Sequence, residues 1–219
     1  MTSEERWHPT ETDLDWIESI APPPHPILAE IEVAARPDSI PILARASGRV
    51  LAALAANRRR IVEVGTAYGY STLWMALAQR PDGTIVTIDP DRGRTEIARG
   101  FWRRAGVADE RIDVVNAPAL DAFGSGDPRL TGAFDLAFID AVKNEYLSYF
   151  EAIVPRLAPG ATVVADNVLW RGRASGAQPA AAGDSTEALR AFSMAVLRDP
   201  RFTGSILPVG DGLLVATLR

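Results

Sequence analysis

One strand-to-helix stretch sets the architecture of this chain: Ile61-Val62-Glu63-Val64-Gly65-Thr66-Ala67-Tyr68-Gly69-Tyr70-Ser71-Thr72. A short, mostly apolar strand runs into a turn with two glycines, and a helical pattern follows from residue 71. Glycine permits positive φ and lets the backbone approach a ligand closely. In open α/β sheets, ligands bind beyond the carboxyl ends of the strands. The stretch therefore predicts a strand of a parallel sheet that ends in a ligand-binding turn.

The alternation of strands and helices continues toward the C-terminus. Strands are predicted at 61–64, 84–88, 112–115, 134–139 and 161–165, with helices at 71–79, 91–105 and 145–157. Continuous apolar strands separated by helices are typical of a parallel sheet that is covered on both faces. The C-terminal end of the chain has a different pattern. Strands are predicted at 205–209 and 213–218, and the turn Gly210-Asp211-Gly212 between them indicates a hairpin. We therefore predict an α/β, Rossmann-like, doubly wound sheet of seven strands, mostly parallel, with one antiparallel strand from the C-terminal hairpin.

Helices are predicted before the first strand as well. Residues 12–35 form two short amphipathic segments separated by Ala21-Pro22-Pro23-Pro24, and a third helix is predicted at 41–57, where Pro41 suits its first turn. The stretch 171–183 is rich in Gly, Ala, Ser and Pro and predicts a mobile loop. After it, Asp184 and Glu187 have the spacing of a helix N-terminus.

Composition narrows the class of protein. A chain of 219 residues with 47% hydrophobic and 23% charged residues suits one globular domain. The net charge of −5 argues against nucleic-acid and anionic-membrane partners. The absence of cysteine excludes disulfides, thiolate metal sites and cysteine nucleophiles. No 18-residue apolar run predicts a membrane span, and no signal-peptide pattern opens the chain, so the expected location is the cytoplasm.

Three polar residues follow two apolar strands. Asp140 comes directly after the strand at 134–139, and Asp166 and Asn167 come after the strand at 161–165. Burying a carboxylate without a partner is costly. Two carboxylates and an amide oxygen at one edge of a parallel sheet suit a hard divalent cation such as Mg²⁺, while Mn²⁺ and Ca²⁺ stay open. The sequence therefore predicts a metal site formed by these residues.

The turn after the first strand does not fit a dinucleotide. That fold needs G-x-G-x-x-G for its pyrophosphate, and this chain has G-x-x-x-G between Gly65 and Gly69. Glu63 and Asp89, which ends the second strand, are expected to place two acids around the opening. Such a site favours a ligand with a ribose diol and a positive centre over a diphosphate.

The chain contains four motifs in this order: EVGTAYGYS at 63–71, IDAVKNEY at 139–146, ADNVLW at 165–170 and LPVGDGL at 207–213. In these motifs it resembles the class I S-adenosylmethionine-dependent methyltransferases, and most of all the metal-dependent O-methyltransferases of the catechol and caffeoyl-CoA type. The resemblance covers roughly residues 40 to 219, and it implies a methyltransferase domain at 41–219. Residues 1–40 are then a helical leader that packs on this core.

The resemblance also implies roles for individual residues. Contacts to S-adenosylmethionine are expected from Glu63, Gly65, Ser71, Asp89, Ala119, Asp140 and Tyr149, with Asp89 on the ribose; Asp140, Asp166 and Asn167 match the metal ligands, and Lys143 matches the catalytic general base. Val142 stands where the catechol enzymes carry an aromatic residue against adenine. The resemblance further implies a homodimer.

The implied reaction moves a methyl group to a hydroxyl of a catechol-like molecule, a vicinal diphenol. A phenol has a pKa of about 10, and a divalent cation that binds both neighbouring oxygens lowers this pKa. Two alternatives stay open at this point: a metal-independent small-molecule methyltransferase and a nicotinamide-dependent dehydrogenase. The choice of acceptor is expected to depend on the leader and on residues 171–183.

Overall fold

The computed structural model describes residues 9–219, so the first eight residues of the predicted leader lie outside the described part. Two helices open it, α1 at Glu11–Ile20 and α2 at Pro26–Ala35, on either side of the prolines at 22–24. Thr10 and Asp13 cap α1 reciprocally, because each side chain accepts a hydrogen bond from the other's backbone N–H. The two predicted leader helices are confirmed.

The next predicted helix is shorter than expected. The sequence predicts it at 41–57, whereas α3 spans Arg45–Ala55. Residues 40–44 are not helical, and Ile40 and Leu43 are buried in the core. Packing of Ile40 and Leu43 into the core takes this segment out of the helix, and Ala44, with a non-helical ψ of 142°, becomes the N-cap of α3. This segment instead becomes a wall of the cleft described below.

A seven-stranded sheet forms the centre of the molecule. Its strands are β1 at Arg60–Val64, β2 at Thr84–Ile88, β3 at Ile112–Val115, β4 at Phe134–Ile139, β5 at Leu157–Ala165, β6 at Phe202–Leu207 and β7 at Leu213–Leu218. The order is β3-β2-β1-β4-β5-β7-β6, with β1 to β5 parallel and β7 antiparallel to both of its neighbours. The predicted fold class, including the single antiparallel strand from the hairpin, is confirmed.

Helices cover both faces of this sheet. After α3 come α4 at Tyr70–Ala78, α5 at Arg92–Arg104, α6 at Ala119–Gly124, α7 at Tyr146–Ile153 and α8 at Thr186–Arg198. One apolar core lies between the sheet and α2 to α5, and a second lies between the sheet and α6 to α8. Among residues 9–219, no helix is long and apolar enough to span a bilayer.

Two boundaries around α7 differ from the prediction. The sequence predicts a helix at 145–157, whereas a 3₁₀ turn at Lys143–Glu145 precedes α7 and another at Val154–Arg156 ends it. Pro155 in that second turn has no N–H to continue α-helical hydrogen bonding. As a consequence β5 begins at Leu157, four residues earlier than the predicted 161.

The strand order reverses between β1 and β4. β2 and β3 continue on one side of β1, and β5, β7 and β6 continue on the other side of β4. Val64 pairs with Ile139 at the carboxyl ends of these two strands, so Gly65 and Asp140 begin the loops on either side of the reversal point. Open α/β sheets form their ligand crevice at this point.

Candidate active site

A cleft of about 840 Å³ opens at the carboxyl ends of β1, β2 and β4. Eight of the predicted site residues line it: Gly65, Ser71, Asp89, Ala119, Asp140, Lys143, Tyr149 and Asn167. Glu63 and Asp166 lie behind that lining. The walls also include residues 40–43 and, at the end near Asn167, Trp170, Arg171 and Arg173. The structure thus brings all the predicted site residues to one place.

Two glycines shape the floor of the cleft. Gly65 has a φ of +99°, and a Cβ there would overlap the carbonyl oxygen of Asp140. Gly69 has a φ of +72° and is the N-cap of α4; a Cβ there would run into the indole of Trp102. The Trp102 indole N–H donates to the Gly69 carbonyl at 3.0 Å, which fixes the turn. Glycine is therefore required at both positions by sterics and by backbone conformation.

Glu63 does not face the opening, which corrects the expectation that two acids surround it. Its side chain is fully buried and accepts hydrogen bonds from the hydroxyls of Ser71 at 2.6 Å, Thr72 at 2.5 Å and Thr87 at 2.6 Å. Burial raises the pKa of Glu63 to about 7, against the opposing effect of these hydroxyls. Glu63 thus supports the turn from below, and Ser71 is the member of this cluster that reaches the cleft.

Asp89 links the second strand to the glycine turn. One carboxylate oxygen accepts the N–H groups of Thr66 at 3.1 Å and Ala67 at 2.8 Å, and the other accepts the N–H of Asp91 at 2.9 Å. Asp91 is the N-cap of α5, so the carboxylate also helps to begin that helix. Asp89 lines the cleft with a 7% exposed side chain. The predicted ribose contact stays a prediction, and the geometry leaves this acid beside the turn.

The residues expected near the adenine of the cofactor are less polar than those around the glycine turn. Ala119 is the first residue of α6 and lines the cleft. Val142 is 55% exposed and also belongs to the lining. Tyr149 is buried, its hydroxyl donates to Glu145 at 2.5 Å, and burial raises its pKa above the ordinary value. These side chains offer an apolar slot at this end of the cleft.

The predicted metal ligands lie together where β4 and β5 end. The Asp166 N–H donates to the Ile139 carbonyl at 3.2 Å, which holds Asp166 beside Asp140. The Asn167 side-chain amide donates to Asp166 Oδ2 at 3.1 Å. Asn167 has a φ of +61°, a strained conformation that is found most often at functional sites and that asparagine tolerates better than most residues.

The electrostatics of this trio favour a cation. Asp166 is 3% exposed, and its Oδ1 has no hydrogen-bond partner among the described residues. Burial, reinforced by the charge of Asp140, raises the pKa of Asp166 to about 7. No three His, Cys, Asp or Glu side chains converge within residues 9–219, and the site consists of two carboxylates and the amide of Asn167. An unpaired buried carboxylate oxygen next to a second acid and an amide oxygen fits a hard divalent ion.

Lys143 is the only lysine in the chain, although Lys and Arg together number 23. It lies in the 3₁₀ turn after β4, and its Nζ donates to Asp140 Oδ1 at 2.5 Å. Arginine provides positive charge elsewhere, but its guanidinium cannot be deprotonated in proteins, whereas lysine can lose a proton. A single lysine at the cleft therefore suits a role that requires proton transfer, and this count was a signal that the sequence analysis missed.

The sequence analysis also missed Tyr146, the first residue of α7. Its side chain is fully buried, and its hydroxyl lies 2.8 Å from Lys143 Nζ. Burial raises the pKa of Tyr146 well above its ordinary value, and the neighbouring Asp140 adds to this effect. The spacing of Asp140, Lys143 and Tyr146 at intervals of three was the available signal, because a 3₁₀ turn places such residues on one side.

The segment that follows Asn167 is held in place more firmly than a mobile loop would be. The N–H groups of Val168 and Leu169 donate to the carbonyls of Gly212 and Asp211, and the Arg171 N–H donates to Asp211 Oδ1 at 2.6 Å. Further hydrogen bonds tie residues 172–178 back to it. The first part of the predicted loop at 171–183 is thus an ordered wall of the cleft, and Asp184 accepts the Thr186 N–H at the start of α8.

Comparisons with known proteins agree with this geometry. The family model of the O-methyltransferases matches residues 22–218. A catechol O-methyltransferase from Mycobacterium tuberculosis is 37% identical over 170 residues, which cover 75% of this chain and 75% of that protein. A catechol O-methyltransferase domain-containing protein from Mus musculus is 32% identical over 200 residues, covering 88% of this chain and 74% of that protein.

Two solved structures that are similar to this chain contain the cofactor or its product. The O-methyltransferase TomG from Streptomyces achromogenes, solved in complex with S-adenosylmethionine, superposes with a TM-score of 0.82 at 30% identity and covers 100% of this chain and 99% of that one. An O-methyltransferase from Bacillus cereus in complex with SAH has a TM-score of 0.81 at 26% identity, with 94% and 96% of the two chains covered. With the family model spanning nearly the whole chain, these findings exclude the dehydrogenase alternative: the chain belongs to the O-methyltransferase family and is an S-adenosylmethionine-dependent enzyme.

Proposed function

We propose that this enzyme is metal-dependent and transfers the methyl group of S-adenosylmethionine to a hydroxyl of a catechol-like small molecule. The observation that carries the proposal is the unpaired, buried Oδ1 of Asp166 beside Asp140 and Asn167. Leaving a buried polar atom without a partner costs about 1–3 kcal/mol, and more when it is charged. A site that bears this cost next to a substrate-sized cleft is best explained by a ligand that binds there.

The cation proposed for this site is Mg²⁺. Asp140, Asp166 and Asn167 would contribute oxygen ligands, and the remaining positions would be open to water and to the acceptor. When bound, the ion would lower the pKa of a coordinated phenol and hold two neighbouring oxygens of a vicinal diphenol in a fixed orientation. The names of the catechol and caffeoyl-CoA O-methyltransferase relatives are consistent with such acceptors.

Lys143 would act as the general base. Its Nζ lies at the mouth of the cleft, 2.5 Å from Asp140 Oδ1, and its side chain is 14% exposed. In its neutral form it would accept the proton of the acceptor hydroxyl. The oxygen would then form a bond to the methyl carbon as the bond from that carbon to sulfur breaks, which leaves S-adenosylhomocysteine and the methyl ether. General-base catalysis typically contributes about 10²–10⁴-fold.

The other predicted residues would hold the methyl donor. Gly65 lets the backbone approach it, Ser71 and Asp89 offer polar contacts, and Ala119 and Tyr149 border the apolar slot. Positioning the sulfonium and the acceptor oxygen in line would supply much of the rate, because well-oriented reactants gain about 7–11 kcal/mol over free ones. Glu63 would not contact the methyl donor itself but would hold Ser71 in position by accepting a hydrogen bond from its hydroxyl.

A homodimer is part of the proposal. No residue of α1 is buried, and Leu14, Trp16, Ile17 and Ile20 on it are 49–62% exposed. Isolated helices of this length are marginal in water, so an apolar surface on one of them suits contact with a second copy. Sedimentation equilibrium of the full chain should give twice the monomer mass, whereas a monomer at micromolar concentration contradicts it. The cytoplasmic location rests on the sequence alone and stays a prediction.

The function is tested with labelled S-adenosylmethionine and matched dihydroxybenzenes. Catechol should be methylated in the presence of Mg²⁺, and resorcinol, whose hydroxyls are not adjacent, should be a far poorer acceptor. EDTA should abolish turnover, and added Mg²⁺ should restore it. Undiminished turnover in EDTA would instead support the metal-independent alternative. No transfer to any vicinal diphenol would refute the proposed acceptor class.

A further inference from the structure

The ring of Tyr146 is fixed within the core between α7 and α8. The side chain is 0% exposed and packs edge-on against Phe192, with ring centroids 5.4 Å apart. Tyr149 contacts it in a tilted arrangement at 6.5 Å. Aromatic pairs at such distances are favourable beyond the area they bury. The Tyr146 hydroxyl therefore has a position that is set by the core and does not depend on a ligand.

That hydroxyl connects the lone lysine to the backbone. Lys143 Nζ donates to it at 2.8 Å, and it donates in turn to the backbone carbonyl of Asp166 at 3.2 Å. The distance to Asp140 Oδ1 is 3.5 Å, at the limit of a hydrogen bond. One acceptor site and one proton of the hydroxyl are thus both used. Tyr146 is absent from the lining of the cleft, so its effect on an acceptor must pass through Lys143.

Lys143 requires the Tyr146 hydroxyl as a partner because its other partner, Asp140, is also a proposed metal ligand. A lysine side chain is a flexible four-carbon stem with many rotamers, and the 3₁₀ turn that carries Lys143 is only three residues long. In the proposed function Asp140 binds the cation, which weakens its hold on the ammonium. The Tyr146 hydroxyl is then the partner that remains available in every state of the site.

We propose that Tyr146 is the positioning residue for Lys143: its buried hydroxyl, braced on the Asp166 carbonyl, holds Nζ at the acceptor. This inference rests on the proposed function, which gives Lys143 its role as the base. The inference concerns the position of Lys143 Nζ and does not depend on the pKa of this group.

The test removes only the oxygen, with Tyr146→Phe. Misplacing a catalytic group by about 1 Å can cost on the order of 10²-fold, so kcat should fall by about 10- to 100-fold. KM for S-adenosylmethionine and for catechol should stay within about 2-fold, because the lost interaction does not hold either substrate. In a Lys143→Ala background the second substitution should have no further effect, since positioning acts through the lysine.

A matched control loses a buried hydroxyl on β5. Thr162 is 2% exposed, its hydroxyl accepts from Arg58 at 2.9 Å, and it lies four positions before Asp166, which follows this strand. Thr162→Val should lower the melting temperature as Tyr146→Phe does and leave kcat unchanged. An unchanged kcat in Tyr146→Phe overturns the proposal. So does an equal fold-loss with and without Lys143, because that pattern is purely structural.

The lone lysine also permits a test that needs no turnover. Protein labelled with ¹⁵N in lysine contains a single Nζ, and its protons should exchange slowly with water because Nζ donates to both the Tyr146 hydroxyl and Asp140 Oδ1. In Tyr146→Phe only the bond to Asp140 remains, so this exchange should become faster. Fast exchange already in the parent protein overturns the positioning role even if the variant does not fold. Absence of diphenol methylation by the parent would refute the proposed function and leave this readout intact.

Discussion

Replacing Lys143 with arginine separates charge from proton transfer. The guanidinium keeps a positive group beside Asp140, where Lys143 Nζ now lies 2.5 Å from Oδ1, but it cannot accept a proton at neutral pH. The fold and the ion pair should therefore persist while the general base is lost. We expect kcat to fall by about 10²–10⁴-fold, which is about 3–5 kcal/mol in activation free energy.

The assay is initial-rate methylation of catechol at saturating S-adenosylmethionine and Mg²⁺, with cofactor affinity measured by calorimetry. Affinity should be nearly unchanged, because the nitrogen faces the acceptor. Asn144→Ala is the matched control, since Asn144 is exposed in the same 3₁₀ turn and outside the cleft lining, and it should keep parental kcat. A Lys143→Arg enzyme within about 3-fold of the parent would refute the reasoning, because charge alone would then be sufficient.

Three further predictions follow from buried groups and from the glycine turn. Because burial raises the pKa of Glu63 to about 7, the folded state holds this proton more tightly than the unfolded chain, so the parent's free energy of unfolding should fall between pH 5 and pH 8. In Glu63→Gln the free energy of unfolding, measured by urea titration across this pH range, should fall by up to ~3 kcal/mol less than in the parent. The same pH dependence in the two proteins would contradict this prediction. Burial likewise raises the pKa of Asp166 to about 7, so in EDTA at pH 8 Asp166→Asn should melt at a higher temperature than the parent. With Mg²⁺ added, the same variant should lack the turnover that the parent shows. A lower melting temperature in EDTA would contradict the energetic cost assigned to this carboxylate. Gly65→Ala should lose S-adenosylmethionine affinity in calorimetry and at least about 1–3 kcal/mol of stability, because its φ of +99° is strained for alanine and its Cβ meets the Asp140 carbonyl; parental binding would contradict this.

Much of the fold could be predicted because local pattern and global topology agree. Apolar strands alternating with helices have few topological solutions, and the Gly210-Asp211-Gly212 turn indicated the antiparallel close. The errors occurred where a proline had two possible roles. Pro41 suits a helix start, yet Ile40 and Leu43 are buried and residues 40–44 form a non-helical cleft wall, and Pro155 lies in the 3₁₀ turn that ends α7 early. Tertiary packing decides such cases, and a single sequence does not reveal it.

The location of the site residues could be predicted from the sequence, but the direction in which each side chain points was harder to predict. Residues at strand ends must meet at the reversal point, and so Asp89, Asp140 and Asn167 line the cleft. Glu63 alternates with its neighbours along β1 and so lies beneath the turn, on hydroxyls that no sequence motif announced. Tyr146 was missed for a similar reason: its proposed role depends on a contact between its hydroxyl and Lys143, and only the spacing of three residues in the sequence pointed to that contact.

Direct measurement of cation binding tests the central claim, that Asp140, Asp166 and Asn167 hold a divalent ion. Mn²⁺ binding can be followed by electron paramagnetic resonance in the parent protein, in Asp166→Ala and in Asp82→Ala, which removes an exposed acid before β2 at the opposite edge of the sheet. The account predicts a single Mn²⁺ per chain in the parent and in Asp82→Ala, displaced by Mg²⁺, and an affinity about 100-fold or more weaker in Asp166→Ala. Equal binding by the parent and Asp166→Ala, or no binding by a parent that methylates catechol in EDTA, would contradict it.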